Sequence, residues 1–342
     1  PENSSNFRMG ADNFRTAAMH PRLFSTMPAK LPFLLAHPPP KTAAPRHWAR
    51  LSERGVYLGL VFCAASCRLI GRAGQRAVIA PIVLYFLLTG RVQRRASRAY
   101  LTRVLGRPPS RGEVWRHFMN FGLRAVDVFL AWTGRLPSAA LLTEGGVPAE
   151  LADEKRGALL VVSHLGNVEV VRALAPASLR ERVTVLVHTR NAANFHRIVS
   201  ENAGDYAGNL IQVTEVGPET VIALSERIAA GGIVVIAGDR IPVSGAGRSV
   251  AVPFFGEKAR FPEGPWVLAA LLGCPVYLMH CLAEGGRYRL TIEPFAERID
   301  LPRRGRTEAL QGLAARFAAR LERYCIQAPY QWYNFYDFWG AP

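Results

Sequence analysis

Residues 158–174 read ALLVVSHLGNVEVVRAL, and this order of residue types decides the fold. Ala158–Ser163 is a short apolar run of the kind that forms a strand covered on both faces. A polar loop follows it, and Val168–Leu174 then has helical spacing. Working outward, Val183–His188 is a second strand candidate, Ile233–Ala237 a third and Val276–Cys281 a fourth. Val221–Ala230 reads as a helix closed by Gly231-Gly232, a common C-terminal signal. Short apolar strands alternating with helices predict an α/β domain over residues 111–342. Its central sheet should be mixed, largely buried and flanked by helices.

Upstream of that domain the grammar differs. Residues 1–46 mix Asn, Ser, Pro and Arg, include Pro38-Pro39-Pro40, and read as a flexible tail. Residues 47–110 hold two apolar runs, Gly55–Cys67 and Ala77–Gly90, separated by Arg68, Arg72 and Arg76. Each run is roughly 13–14 residues, short of the ~20 that cross a bilayer as a helix. Joined, they would bury three arginines at roughly 2.5–3.5 kcal/mol each on insertion scales. Helices in the membrane surface, with arginines reaching back to the headgroups, fit better than one tilted span. A basic cluster follows: Arg91, Arg94, Arg95, Arg98, Arg103, Arg107, Arg111 and Arg116, opposed only by Glu113. Beside an apolar segment, such a cluster reads as a contact for anionic membrane lipids; the alternative is a solvated helix face.

The formal net charge of +16 calls for an anionic partner: lipid, nucleic acid, or a carrier protein or nucleotide thioester. Nucleic acid is the poorer match, because no RNP, zinc-finger or helix-turn-helix pattern accompanies the charge. The five cysteines have neither CxxC pairing nor framework spacing, so disulfide and zinc readings are weak.

His164 stands just past a predicted strand end, where open α/β sheets gather their ligands. Asn167 is positioned to cap the next helix, and Glu169 falls in its first turn. A strand–loop–helix corner can return that carboxylate to the imidazole, fixing its tautomer and making it a general base. The plainer alternative is a loop histidine bonded locally, with Glu169 serving the helix dipole. There is no HExxH pair for zinc and no GxSxG elbow for a nucleophilic serine.

His164-Leu165-Gly166-Asn167-Val168-Glu169 resembles the H-x4-(D/E) signature of the lysophospholipid and glycerol-3-phosphate acyltransferase superfamily. Within it the chain is similar to the branch of the late lipid A acyltransferases and related predicted acyltransferases. Further segments match that branch in order: His188-Thr189-Arg190, Gly238-Asp239-Arg240, the VPFFG-like loop Val252–Gly256, Gly264 opening a hydrophobic helix, and Ala328–Trp332. The match covers roughly residues 47–340. One departure is the ending. Trp332-Tyr333-Asn334-Phe335-Tyr336-Asp337-Phe338-Trp339 replaces a basic WxHRRF-like sequence and resembles a subgroup partly associated with aryl polyene lipids. It bears on the acceptor more than on fold or chemistry.

The resemblance implies a glycerol-3-phosphate acyltransferase-like fold and direct transfer of a fatty or aryl acyl group to a hydroxyl of a lipid or glycolipid acceptor. His164 would take the hydroxyl proton with Glu169 orienting it, and the hydroxyl would attack the thioester carbonyl. Arg190 and Arg240 are candidates for steadying the oxyanion. Gly166, Asn167, Asp239, Phe254 and Phe255 complete the implied substrate-binding set, the two phenylalanines mainly as hydrophobic wall. It implies no metal, no acyl-enzyme and no cofactor beyond the co-substrate thioester, carried on acyl carrier protein in preference to CoA. The expected location is the cytoplasmic face of the bacterial inner membrane, peripheral or singly anchored. A catalytically silent scaffold and a lipid or thioester hydrolase are the competing readings.

Overall fold

The computed structural model describes residues 74–340, apart from 133, 145–146, 149–150, 152–155, 188–209, 214–215 and 242–247. The expected tail, the first apolar run and the His188-Thr189-Arg190 motif lie outside the described residues. Three helices come first: α1 (Gly74–Thr89), α2 (Arg91–Leu105) and α3 (Arg111–Trp132). Then follow β1 (Leu141–Glu144), β2 (Ala158–Val162), α4 (Val168–Leu174), α5 (Ala177–Arg182), β3 (Val183–Val187), β4 (Leu210–Gln212) and α6 (Pro218–Ala229). The chain continues through β5 (Ile233–Ala237), β6 (Ser249–Phe254), β7 (Glu257–Pro262), α7 (Gly264–Leu272), β8 (Val276–Glu284), β9 (Arg287–Ala296) and α8 (Arg306–Gln327).

Seven strands form one sheet in the order β1-β9-β8-β2-β5-β3-β4, and β6 and β7 form a separate antiparallel hairpin. All neighbours in the large sheet are parallel except β8 and β9. The sheet is therefore mixed and mostly parallel, as the βα alternation implies. Every residue of β2 is buried, as is β5 up to Ala237, because helices cover both faces. That is why these strands read as unbroken apolar runs. On α8 the buried side chains Leu310, Ala314, Phe317, Leu321 and Tyr324 recur every three or four residues, forming the stripe that packs on the sheet and hairpin.

No single described helix is long and apolar enough to cross a membrane. Taken together, α1 and α2 reach that length and composition, but they are bent by 94° at Gly90. Arg94 donates from Nη1 to the Leu88 carbonyl, 2.7 Å, and so caps the end of α1 across the bend.

Two histidines away from the sheet ends are wholly internal. His117 on α3 lies between the Ser97 hydroxyl (2.9 Å from Nδ1) and the Trp332 carbonyl (2.9 Å from Nε2). His280 on β8 lies against the Tyr324 ring, centroids 4.1 Å apart. Burial pushes His117 down to about 4 and His280 down to about 3. The unfolded chain binds these protons near pH 6.5 and the folded chain only well below it, so stability falls as pH drops through that window. At pH 5 each histidine should lower the unfolding free energy by on the order of 2 kcal/mol relative to pH 7. Urea midpoints at the two pH values check this; coincident midpoints would contradict it.

Candidate active site

Register builds the centre of the site. β2 and β5 are adjacent and parallel, with Val162 paired to Ala237. His164 stands two residues beyond Val162 and Asp239 two residues beyond Ala237, so both leave the same sheet end on neighbouring strands. Parallel neighbours are ~4.8 Å apart, which is within side-chain reach. His164 Nδ1 and Asp239 Oδ1 meet at 2.7 Å. Gly238, between β5 and Asp239, donates its N–H to the Val162 carbonyl at 2.8 Å. A Cβ on Gly238 would come within 2.8 Å of the Val161 side chain and 2.9 Å of the Phe317 ring, so a side chain here would collide with the packing of α8 on the sheet.

Asp239 is fully buried and receives more than the imidazole. Its Oδ2 accepts from the His164 backbone N–H (2.9 Å), Trp332 Nε1 (3.0 Å) and Asn334 Nδ2 (3.1 Å). Burial acts to raise its pKa. The charges of His164 and Arg240 and the donated bonds outweigh burial and hold the carboxyl well below its usual range. His164 is pushed below 6.5, chiefly by burial and next by the Arg240 charge, against the pull of Asp239. The imidazole side chain is nonetheless 32% exposed, and Nε2 has no hydrogen-bond partner among the described residues. An ionised carboxylate on Nδ1 selects the tautomer whose bare nitrogen is Nε2, a proton acceptor facing outward.

The loop carrying His164 is held by the chain's end. The Tyr333 N–H donates to the His164 carbonyl (2.9 Å) and the Gly166 N–H to the Gln331 carbonyl (2.8 Å). The Gln331 amide is fixed in turn to both backbone groups of Ala283. Trp332 sits fully buried among Tyr100, Phe254 and Phe338. Trp332, Tyr333, Asn334 and Phe338 are buried, so the aromatic ending serves mainly as core.

Several expected roles change. The carboxylate on Nδ1 is Asp239, not Glu169. As the second residue of α4, Glu169 lies along the helix and binds Arg172 one turn on, 2.9 Å, which in turn lies 4.7 Å over the Trp132 ring. Asn167 occupies the cap position but does not cap α4 with its side chain. Its buried amide donates to the Arg124 carbonyl (3.0 Å) and Tyr288 hydroxyl (3.3 Å), anchoring the loop to α3 and β9. Gly166 has φ +75°, and a Cβ there would fall 2.0 Å from the Cys281 carbonyl oxygen, so close approach accounts for the glycine. Arg240 binds Asn334 Oδ1 through Nε (2.7 Å) and the Tyr333 carbonyl through Nη2 (3.0 Å), which directs it to the C-terminal segment. Phe254 is fully buried core at the end of β6, and Phe255 begins the β6–β7 turn at φ 52°. The VPFFG stretch is therefore strand and turn, not a loop. Arg190 lies outside the described residues. Trp332 and Asn334 were not expected at the carboxylate; their positions in sequence carry no spacing signal to Asp239.

Residues 46–340 match the family model described as bacterial lipid A biosynthesis acyltransferase. The chain is also similar to the phosphatidylinositol mannoside acyltransferase of Mycolicibacterium smegmatis (strain ATCC 700084 / mc(2)155). The two are 27% identical over 258 residues, spanning 71% of this chain and 79% of that protein.

Proposed function

This chain belongs to the bacterial lipid A biosynthesis acyltransferase family, and from that premise we propose that it acylates a hydroxyl of a lipid or glycolipid by direct general-base catalysis at His164. The observation that carries the reading is the His164–Asp239 pair at adjacent parallel strand ends, with Nε2 left open. In this mechanism Nε2 takes the proton of the acceptor hydroxyl. The hydroxyl oxygen attacks the carbonyl carbon of an acyl thioester, and the carbonyl becomes an oxyanion. Its collapse expels the thiolate, to which the imidazolium returns the proton. Asp239 holds the ring and stabilises its transient charge. The donor is an acyl thioester on acyl carrier protein in preference to CoA; the net charge of +16 suits either anionic carrier. The acceptor is a lipid or glycolipid, and the sugar-bearing lipid in the mycobacterial relative's name indicates the class. An intact-cell lipid profile by mass spectrometry, comparing wild type with His164→Ala, tests the reading. A lipid lighter by one acyl group only in the variant supports it and identifies the acceptor.

The site works at a membrane surface in this proposal, at the cytoplasmic face of the inner membrane. Leu84, Tyr85 and Leu88 are exposed along one face at the end of α1. Arg91, Arg95 and Arg98 are exposed at helical spacing just beyond the bend and have no ion-pair partner among the described residues. Other members of the basic cluster are used internally: Arg103 pairs with Glu257 (2.6 Å) and Arg107 with Glu113 (2.7 Å). An apolar face beside three unpaired cations suits an anionic bilayer. Each arginine is worth ~1 kcal/mol at such a surface, so replacing all three with alanine should weaken binding to phosphatidylglycerol-containing vesicles roughly 100-fold. Cosedimentation measures this; equal binding of variant and wild type would rule out these arginines as the lipid contact.

A further inference from the structure

We propose that Asn334 is a positioning residue of the base: its amide stands between Arg240 and Asp239 and keeps the carboxylate for His164. The orientation of that amide follows from its neighbours. Arg240 Nε can only donate, so the group it meets at 2.7 Å is Asn334 Oδ1. Asp239 Oδ2, ionised, can only accept, so the group it meets at 3.1 Å is Asn334 Nδ2. Both ends of one buried amide are satisfied in a single arrangement, and no flipped alternative exists. The amide passes the guanidinium's pull to Asp239 as an oriented dipole while denying it a direct salt bridge. Trp332 Nε1 and the His164 N–H fill the rest of Oδ2. Only Oδ1 is then left to face the imidazole.

The need for such a spacer is electrostatic. The groups electrostatically coupled to Asp239 are His164, Arg240, His280 from β8, Cys325 from α8 and Tyr336 from the C-terminal segment. Arg240 is the one permanent cation in that set. A guanidinium paired directly with Asp239 would compete with Nδ1 and leave the base weaker. Held by Asn334 and the Tyr333 carbonyl, Arg240 is turned aside. The same residue ties the terminal segment to the sheet end.

This inference rests on His164 being the base, but its test needs no substrate. The full chain, labelled with ¹⁵N-histidine in detergent micelles, is titrated by NMR, and the His164 signal is assigned by its loss in His164→Ala. In the wild type at neutral pH, the proton should reside on Nδ1 and Nε2 should be bare. Asn334→Ala removes the amide without adding bulk and frees Arg240 to approach Asp239, so the His164 pKa should fall. Asn334→Leu removes the spacer and frees Arg240 for Asp239, so the pKa should fall. Circular dichroism confirms that each variant is folded. If the leucine variant does not fold, the smaller alanine variant still decides. A wild-type His164 proton on Nε2, or a pKa unmoved in folded Asn334→Ala, overturns the proposal. An unchanged lipid profile in His164→Ala would instead remove the base while leaving the titration result intact.

Discussion

His164→Ala is expected to reduce acyl transfer by about 10²–10⁴-fold, the range that a positioned general base supplies. Some rate should survive, because holding the two substrates together does not depend on the imidazole. The variant should accumulate like the wild type: His164 lies at the rim of the sheet, and its backbone bonds to Asp239 and Tyr333 remain available. Equal amounts of both proteins in the cells are the control. The pH profile adds a second readout. The base works unprotonated, and burial with the Arg240 charge lowers its pKa, so activity should fall off at a lower pH than an ordinary imidazole would set. Wild-type activity in the folded alanine variant would end the general-base reading.

Asp239→Asn should lose about 10³–10⁴-fold, whereas Glu169→Gln should stay within a few-fold of wild type. The reason is the crowd of donors at Oδ2. The His164 N–H, Trp332 Nε1 and Asn334 Nδ2 all point there, so a substituted amide must put its oxygen in that place. Its NH₂ then faces His164 Nδ1 and demands a bare nitrogen on that side. The proton moves to Nε2, and the nitrogen facing the acceptor can no longer take one. Glu169→Gln, by contrast, only weakens an ion pair with Arg172 on a half-exposed helix face. The two variants, assayed side by side by lipid profile, separate the carboxylates. An inactive Glu169→Gln beside an active Asp239→Asn would reverse the assignment.

The contrast between these two carboxylates marks where sequence reading stopped. Linear spacing made Glu169 the obvious partner, because five residues is a distance that can be counted. Asp239 lies 75 residues from His164, and their meeting depends on β2 and β5 becoming neighbours in one register. Strand order is a property of the whole sheet, and nothing in either strand's own residues states it. Asp239 was legible as a strand-end site residue, but its job was not. The edge strands β1 and β4 also went unread, being only three or four residues long with no buried run to announce them.

By itself the sequence determined the α/β class, the strands at 158, 183, 233 and 276, the helix after His164, and the family. Those follow from local hydrophobic period and from ordered motifs, both of which survive in one dimension. Tertiary structure alone decided that Asp239 meets His164 and that Asn167 anchors rather than caps. It alone set Trp332 and Asn334 of the aromatic ending against Asp239. Each of these is a contact between residues far apart in the chain, fixed by strand register and by where buried polar groups find partners. A side chain's role at this site is set by who stands next to it, and that is known only once the sheet is assembled.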